Sequence, residues 1–563
     1  MLNRVSWPKE ISLTAMVIVV ALATRVASTS AQPSRPDVAR LDRIANSVTR
    51  VESKAGFDRG RLYGVSRNLT AFADRWRALR NRPIQTGTAE PATSGVEASG
   101  KPISRPTLNL GRFAGFTQSQ TSTAWCGSSV LTFFNDTGSE ARTITALAGI
   151  TAVGFASSSN LGKGFAYQGA PPGGVNFDQT LLGSPTVACL DQSRFFYSAI
   201  WLDTLNNITG VAFAHSADGG HTFSTPIVAA SKSASTDFVD HAWLAIDRVH
   251  STMYIAYADL DYSGLACGTD PNTGSTIPRY AIELVVSTDA GATWSAGPTI
   301  IEQVCADAAD PWATVMGPQV AIGLAGEVYV AFEAAGEDGG GITSRQIKIA
   351  RSNDSGVTFA PAVVVAPVNP VGDGADLQGF VRSNEFPGIA IGRGKKNPGF
   401  VYLAWNDGDN SVPDSFTTLG TYNFADIKMS VSQDAGNTWQ APVRVNNNAK
   451  GGAAPLTDQF EPAIATDKTG TIAICFYDRR RDVNNFKIDR ECAKSANGGT
   501  TWVNRKLTAA SFPTEVGQDL LVAPDYMGDF DTVATDSTGA HAGFLDAFAN
   551  NGAGNPNVMV DQP

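Results

Sequence analysis

The sequence predicts an all-β fold, a β-propeller of four-stranded blades preceded by a short α-helical N-terminal segment. Two repeats lead to this prediction. One is a pair of short apolar strands, A and B, which recurs in seven copies from "TAWCGSSVLTFFND" to "DTVATDSTGAHAGFLD". The other is a turn of pattern S-x-[DN]-x-G-x-T-[WF], which follows a third strand, C, and returns about every 60 to 80 residues. Four strands in a repeat of that length are typical of propeller blades, whereas solenoid repeats are usually shorter.

The number of blades follows from counting these repeats. Seven A–B pairs are present, but only six turns join a C strand to a fourth strand, D. The last pair is followed by one candidate C strand, Asn557–Gln562, and the missing D strand is expected from Thr107–Phe116. Such a closure would leave no open sheet edge. Seven blades are therefore favoured, with six as the alternative.

The repeated turn is expected to be structural. An aspartate in a turn accepts hydrogen bonds from backbone N–H groups, and a glycine supplies a positive φ. The closing Trp or Phe is large enough to be buried between blades. In "SANGGTTWV" and the degenerate "SSNLGKGF" an asparagine takes the aspartate's place, and an amide caps a turn but is neither acid nor base. The residues expected to hold the six turns are Asp218, Asp289, Asp354, Asp434, Asn497 and Asn160.

These octapeptides resemble the Asp-box, or BNR repeat, of the sialidase superfamily, and the resemblance covers most of the chain after residue 110. It implies a bacterial exported sialidase-like propeller. Members of that family typically place three arginines on the substrate carboxylate and use a tyrosine–glutamate nucleophile pair with an aspartate acid/base. The family's Arg-Ile-Pro signature ahead of the first Asp-box is absent here, and spacing assigns no tyrosine–glutamate pair.

The N-terminal region divides into three predicted segments before the propeller at 107–563. Residues 1–31 form a signal peptide, with basic Arg4 and Lys9, a short apolar core and a cleavage point after Ala31; an uncleaved anchor is the alternative. Residues 32–82 are helical, as a hairpin or a coiled-coil contact with a partner, and 83–106 are a flexible linker. We expect a secreted or periplasmic protein with no transmembrane span after signal removal.

Export makes the six cysteines candidates for disulfides. They allow fifteen pairings, so any connectivity is a preference. We favour the pairs Cys475–Cys492, Cys267–Cys305 and Cys126–Cys189. A zinc-type site is not assigned, because the chain has no CxxC and only five histidines.

Chain direction places the A–B turns and the repeated turns at one end of each blade. The D–A and B–C connections then share the opposite end, where an acidic ring around a central channel is expected. Each B strand ends in a carboxylate: Asp136, Asp203, Asp259, Glu333, Asp407, Asp478 and Asp546. Polar residues open the A strands: Asp240, His241, Asp310, Asn384, Glu385, Asp458, Glu461, Asp525 and Asp529. Repetition favours loop capping for most of them, because a catalytic site needs distinct residues in distinct blades.

Residues that depart from the repeat are the candidates for chemistry. A guanidinium fork suits a carboxylate, and glycoside hydrolysis needs an acid and a nucleophile or base. The candidate catalytic residues are Arg279, Arg345, Arg382, Arg479, Glu385, Tyr477 and Asp240.

Two classes of function remain open at this point. The favoured one is an exported propeller that binds an extracellular glycan or protein ligand, with Trp201, Tyr262 and Tyr526 as exposed stacking surfaces. The alternative is a sialidase-type glycoside hydrolase or a polysaccharide lyase. The net charge of −10 argues against nucleic acid as a partner. No cofactor is required, and calcium is a possible structural ion at three aspartate pairs: Asp259/Asp261, Asp407/Asp409 and Asp529/Asp531.

Overall fold

The computed structural model describes residues 101–102, 117–139, 150–175, 179–203, 205–307, 309–310, 313–337, 343–373, 376–379, 381–413, 420–448, 456–513, 526–550 and 557–563. The predicted signal peptide, the helical segment 32–82 and most of the linker lie outside the described residues. Within them, no helix is long and apolar enough to cross a membrane.

The described residues form seven antiparallel four-stranded sheets, the blades of a propeller. The first strand among the described residues, β1 (Lys101–Pro102), belongs to the last blade. Blade 1 contains β2 (Gln118–Cys126), β3 (Ser129–Asp136), β5 (Val153–Ser158) and β6 (Ala166–Gly169). The short β4 (Ile150–Thr151) leaves blade 1 to pair in parallel with β7 (Gln179–Cys189) of blade 2, which continues with β8 (Phe195–Asp203), β9 (Ile208–Ser216) and β10 (Ile227–Ser233).

The remaining blades repeat this order. Blade 3 contains β11 (Asp237–Asp247), β12 (Thr252–Asp261), β13 (Arg279–Ser287) and β14 (Thr299–Cys305). Blade 4 contains β15 (Thr314–Ile322), β16 (Val328–Glu337), β17 (Thr343–Ser352) and β18 (Val363–Val368). A two-stranded ribbon, β19 (Asp376–Leu377) and β20 (Val381–Arg382), precedes blade 5, which contains β21 (Gly388–Ile391), β22 (Val401–Pro413), β23 (Thr421–Ser432) and β24 (Val443–Arg444). Blade 6 contains β25 (Gln459–Thr466), β26 (Ile472–Asp478), β27 (Asp489–Ser495) and β28 (Val503–Lys506), and blade 7 contains β29 (Thr532–Ala534), β30 (Leu545–Asn550), β31 (Asn557–Asp561) and β1.

The seven blades close into a ring. Each inner A strand contacts the A strand of the next blade, and β29 of the last blade contacts β2 of the first. Trp125 also forms a β-bridge with Asp536, and the backbone N–H of Gly127 donates to Asp536 Oδ1 at 2.9 Å. The count of seven is therefore confirmed and the alternative of six is excluded.

The strand that completes blade 7 differs from the prediction. Lys101 and Pro102 pair with Val560 and Met559 of β31, so the outer strand comes from residues first assigned to the linker. The segment expected there, Thr107–Phe116, lies outside the described residues. A two-residue strand with a proline carries no hydrophobic alternation, and sequence patterning therefore could not find it.

The hydrophobic core lies between adjacent blades. Because both faces of most blades are covered by neighbours, strands such as β3 and β8 are buried at nearly every position. The aromatic residue of each turn joins this core. Phe223 lies 5.2 Å from both Phe133 and Tyr197, which belong to blades 1 and 2. The outer D strands begin one to several residues after this aromatic residue rather than at it.

The repeated turns are closed by hydrogen bonds to the Asp or Asn side chain. In the third copy, Thr293 donates its N–H to Asp289 Oδ1 at 2.8 Å and its hydroxyl to Oδ2 at 2.6 Å. Ala290 and Gly291 both adopt left-handed conformations, with φ of 58° and 86°. A Cβ on Gly291 would stand 2.2 Å from Phe213, so packing as well as φ requires glycine. The amide oxygen of Asn497 accepts the N–H of Thr501 at 3.0 Å in the same way.

The structure contains three disulfides, and they are the three pairs favoured from the sequence. Cys126–Cys189 joins the ends of the inner strands of blades 1 and 2, Cys267–Cys305 ties the B–C connection of blade 3 to β14, and Cys475–Cys492 joins directly opposed residues of β26 and β27. The first of these fixes two neighbouring blades to each other.

Candidate functional site

The inner strands carry a recurrent irregularity close to their first residues. In five blades the pairing of strands A and B shifts register there, which is the signature of a β-bulge. The residue at each bulge is left-handed, with φ between 48° and 64°: Gln120, Ser184, His241, Gly317 and Glu461. Four of the five are not glycine, and such residues cost about 1 kcal/mol or more each, so they mark a place where local strain is tolerated.

Two of these residues, His241 and Glu461, belong to a group of polar side chains at the propeller axis. Contacts between blades that are not neighbours along the ring are possible only there. His241 of blade 3 lies 4.9 Å, centroid to centroid, from Phe386, which precedes blade 5, and its Nε2 lies 3.6 Å from Asp529 Oδ2, which precedes blade 7. We call the residues that meet here the channel cluster: Asp240, His241, Arg382, Asn384, Glu461 and Asp529.

Asp529 contacts three other residues of the channel cluster, Arg382, Asn384 and His241. Its Oδ1 accepts hydrogen bonds from Arg382 Nη2 and, at 3.0 Å, from Asn384 Nδ2. Although burial alone would raise its pKa, Arg382 and His241 outweigh that cost and hold the pKa of Asp529 well below its usual range. Asp529 is therefore an ionised carboxylate inside the protein.

His241 lies between two carboxylates and two phenyl rings. Its Nδ1 is 3.6 Å from Asp240 Oδ2, its Nε2 is 3.6 Å from Asp529, and its ring faces Phe386 and Phe530. Burial lowers its pKa, but the charges of Asp240 and Asp529 more than offset this, so the pKa of His241 is raised. At 3.6 Å both contacts are longer than an ordinary hydrogen bond, so His241 interacts with the two carboxylates mainly through charge, and its hydrogen-bonding capacity is not fully used.

The other two carboxyls of the channel cluster, Glu461 and Asp240, have raised pKa values, in contrast to Asp529. Burial, together with the neighbouring charges of Asp529 and Asp531, raises the pKa of Glu461 well above its usual value. Burial also raises the pKa of Asp240, despite the compensating charge of His241. The cluster thus sets one ionised carboxylate beside two that are held toward their protonated forms.

A second polar network borders the channel cluster on the side of blades 1 and 2. Tyr526 lies under Arg382, with the guanidinium carbon 4.9 Å from the ring centroid, and its hydroxyl donates to Gln120 Oε1. Asn135 Nδ2 also donates to Gln120 Oε1 at 2.6 Å, and Gln120 Nε2 donates to Ser184 Oγ at 3.2 Å. Two of the strained bulge residues are therefore connected to the cluster through Tyr526.

Tyr477, one of the residues predicted for catalysis, adjoins the cluster through Asp531. Tyr477 donates its hydroxyl to Asp531 Oδ2 at 2.6 Å and accepts the N–H of Ala549 at 2.8 Å. Burial and Asp531 raise its pKa well above 10. Arg490, which no prediction singled out, stacks on the Tyr477 ring at 4.6 Å.

Arg345 and Glu385 form a buried ion pair with each other. Glu333 joins them, since its Oε1 lies 3.6 Å from Arg345 Nη1 and its Oε2 accepts the N–H of Glu385 at 3.2 Å. Burial raises the pKa of Glu333, and the charges of Arg345 and His241 act in the opposite direction. This pair therefore neighbours the channel cluster by way of Glu333.

The remaining two predicted arginines lie in separate networks. Arg279 pairs with Asp259 at 2.9 Å and with Glu283 at 2.6 Å, while Arg479 pairs with Asp458 at 3.2 Å. The four predicted arginines thus pair with different carboxylates, and the structure does not bring them together around one substrate group.

Of the residues predicted for catalysis, Asp240 and Arg382 belong to the channel cluster. His241, Asn384, Glu461 and Asp529 were recognised as polar openings of A strands but not selected. Their signal is positional: they stand one to three residues before the apolar run of an inner strand. Trp201 and Tyr526, expected to be exposed, are buried, whereas Tyr262 is 38% exposed.

The aspartate pairs considered for calcium already have partners. Asp409 pairs with Lys428 at 2.8 Å, Asp407 accepts the N–H of Asn369 at 3.1 Å, and Asp531 accepts the hydroxyl of Thr121 at 2.9 Å. Among the described residues, the one group of three ligands with metal-binding spacing is Cys475, Cys492 and Asp546, whose two sulfurs form a disulfide. Calcium stays a prediction.

Two surface depressions lie at the opposite end of the blades, among the A–B turns. One is lined by serines of blades 1 and 2 with Asp218 and His221, the other by Gly127, Arg194 and Thr538 among others. Neither contains a buried side-chain atom without a hydrogen-bond partner. We therefore place the candidate site in the channel cluster.

Comparison with known proteins finds distant structural similarity only. No family model and no curated protein matches the chain. Similar solved structures include a Hadza microbial sialidase (14% identity, 73% of each chain, TM-score 0.39) and an α-L-arabinanase of Penicillium chrysogenum (9%, 84% of this chain and 99% of that one, TM-score 0.43). A polysaccharide lyase, an ulvan lyase, covers 83% of this chain and 95% of its own at 9% identity, with a TM-score of 0.48. At these values the similarities carry no argument about function.

Proposed function

We propose that the protein is an exported Asp-box propeller that binds a glycan at the channel cluster. The observation that carries this proposal is a set of buried polar atoms with no hydrogen-bond partner among the described residues: both ring nitrogens of His241, Oε1 of Glu461 and Oδ1 of Asn384. Each unsatisfied buried polar group costs about 1 to 3 kcal/mol. A sugar, which presents several hydroxyls in a small volume, would satisfy them.

Aromatic side chains next to these atoms support a carbohydrate. Phe386 and Phe530 border His241, and Trp243 lies 5.2 Å from Phe530. Ligand sites combine apolar and aromatic walls with a few well-placed polar groups.

The turns and the disulfides have structural roles, which are consistent with this proposal. Five of the six turns match the Asp-box in sequence, and the Asp or Asn side chain of each turn is engaged in closing it. Three disulfides in one chain are typical of oxidising compartments, as proposed for an exported protein.

A glycan array tests the proposal. The mature chain from Gln32 is applied beside His241→Ala and a control, His221→Ala, whose histidine lies exposed in a turn at the opposite end. We expect a glycan that binds the wild type and the control equally and His241→Ala at least about tenfold more weakly. Absence of any bound glycan, or equal binding by all three proteins, would contradict the proposal.

One observation favours a second candidate, a glycoside hydrolase or polysaccharide lyase. The cluster holds the pKa of Asp529 low and that of Glu461 high, which is the division of roles that an acid/base pair requires. Aryl glycosides and polysaccharides incubated with the protein would then release product. The activity should disappear in Glu461→Gln and persist in His221→Ala, and no release across the panel would remove this candidate.

A further inference from the structure

The channel cluster and its neighbours contain more buried acids than bases. Arg345, Arg382 and Arg490 are the guanidinium groups, and His241 is the one imidazole of this set. Seven buried carboxyls accompany them: Asp240, Glu333, Glu385, Glu461, Asp529, Asp531 and Asp546. The carboxyls therefore outnumber the cations even when His241 is protonated. An unbalanced buried charge is removed either by a proton or by a bound cation.

Protons are one solution in the free protein. Burial raises the pKa of Asp240, Glu333 and Glu461, and it raises that of Asp546 to about 6. A cationic group at the axis would supply the same compensation and allow these carboxyls to ionise.

The unpartnered atoms of the site indicate what kind of group is missing. Glu461 and Asn384 are each 5% exposed, and the free atoms are acceptor oxygens, Oε1 and Oδ1. Glu461 lies among the charges of Asp529 and Asp531, so its free oxygen belongs to the acidic side of the cluster. An ammonium group brings three N–H donors together with a positive charge.

A metal ion would supply charge but needs converging ligand atoms. Among the described residues, no His, Asp or Glu atoms of the channel cluster meet the spacing of three ligands within 4.8 Å of one another. Coordination of calcium or zinc is therefore a poor fit, whereas an ammonium needs only separate hydrogen-bond acceptors.

The structure assigns to the channel cluster a sugar with a free, protonated amino group, such as a de-N-acetylated hexosamine in a glycan. Its ammonium is assigned to the free oxygen of Glu461, and Phe386 and Phe530 are the aromatic side chains beside His241 that its ring would meet. This inference rests on the proposed glycan-binding function and specifies the substrate class of the same site.

Calorimetric titration tests it with three oligosaccharides of equal length and linkage, made of glucosamine, N-acetylglucosamine and glucose. The wild-type protein should bind the glucosamine oligomer at least about tenfold more tightly than the other two. Binding should release protons, because carboxyls whose pKa is raised in the free protein would ionise beside the ammonium. Titrations in two buffers of different ionisation enthalpy measure that release.

The variants separate charge recognition from folding. Glu461→Gln removes one carboxyl with little change of shape, and it should lower the affinity for the glucosamine oligomer to that for the two neutral oligomers. The matched control is Glu302→Gln, whose glutamate pairs with Lys348 at 3.3 Å away from the axis, and it should keep the preference.

The outcomes distinguish this inference from the proposed function. Equal affinity for amine, acetylated and neutral oligomers would overturn the inference and leave glycan binding in place. Competition by calcium chloride alone, with stoichiometric calcium binding, would also overturn it. No binding of these oligomers by a protein that binds another glycan on the array would overturn the amine assignment alone, and no binding of any glycan would overturn both.

Discussion

At the scale of single residues, the site is defined by side chains placed against their local preferences. Glu461 and His241 are left-handed, buried and incompletely hydrogen-bonded, while Asp529 is buried and ionised. Each of these features lowers stability by itself. Their concentration at one point on the axis is the reason to assign function there.

Removal of one excess carboxylate should therefore stabilise the free protein. Glu461→Gln keeps the side-chain shape and eliminates an acid whose ionisation is opposed by Asp529 and Asp531. At pH 8 we expect a higher melting temperature than that of the wild type, measured by differential scanning calorimetry. The control Glu302→Gln, whose half-buried glutamate pairs with Lys348 away from the axis, should not raise it. A lower melting temperature for Glu461→Gln would show that its ionised carboxylate stabilises the fold.

The pKa shifts also predict how stability depends on pH. Burial raises the pKa of Asp259, Asp478 and Asp546 from 3.8 to about 6. The folded state then binds more protons than the unfolded one between pH 4 and 6, so stability falls as the pH rises through that interval. In contrast, hydrogen bonds in the turns lower the pKa of Asp289 and Asp354 to about 2, and their contribution is lost as the pH falls from about 4 to 2.

The two effects together place the maximum of stability near pH 4 to 5. Thermal melts recorded from pH 2.5 to 8 would show it, with the melting temperature decreasing on both sides. A melting temperature that rises steadily up to pH 7 would contradict the assignment of raised carboxyl pKa values to the folded state.

The contacts between individual side chains of the site were the part of the structure that the sequence predicted least well. Asp240, Arg382 and Glu461 are visible as polar residues ahead of inner strands, but their partners are far away in the chain. Arg382 and Asp529 are separated by 147 residues, and only the closed ring brings them together. The bulges that aim these side chains depend on pairing between strands, which a single sequence does not display.

At the scale of elements, the repeated turn accounts for the regularity of the blades. In five of the six turns a serine, an aspartate or asparagine, a glycine and a threonine close the turn by hydrogen bonds, and the aromatic residue packs between blades. Sequence predicted the position and the role of the glycine, since a positive φ and a tight turn have a recognisable pattern. It did not predict the second left-handed residue of the pair, such as Ala290, because alanine carries no such signal.

Two glycines near the same turn offer a test of this account. Gly291→Ala places a methyl group 2.2 Å from Phe213 at a φ of +86°, whereas a Cβ on Gly297 meets nothing within 4 Å. We expect Gly291→Ala to lower the free energy of unfolding by about 2 kcal/mol or more, and Gly297→Ala to change it by less than about 0.5 kcal/mol. Chemical denaturation measures both, and equal effects would contradict the turn's structural role.

At the scale of the whole molecule, the sequence repeats predicted a propeller. The closure of the ring in the structure shows that it has seven blades. Seven A–B pairs were evident from hydrophobic alternation, and the inner strands form one continuous ring. The outer strand of blade 7 could not be located, because Lys101–Pro102 is too short to show a period. The predicted signal peptide and helical segment lie outside the described residues and stay predictions.

Truncation tests the closure. A chain that begins at residue 96 retains β1, and one that begins at residue 103 lacks it. The first should melt at the temperature of the mature chain, and the second at a lower temperature, since β31 then has an unpaired edge. Equal melting temperatures for the two truncated chains would show that β1 adds nothing to closure.

A crystal structure of the protein with the tightest-binding oligosaccharide from the array would show whether the propeller axis is a glycan site. We expect sugar density at the axis, within hydrogen-bond distance of His241, Glu461 and Asn384. Density confined to the depressions among the A–B turns, with the channel cluster unchanged, would contradict it.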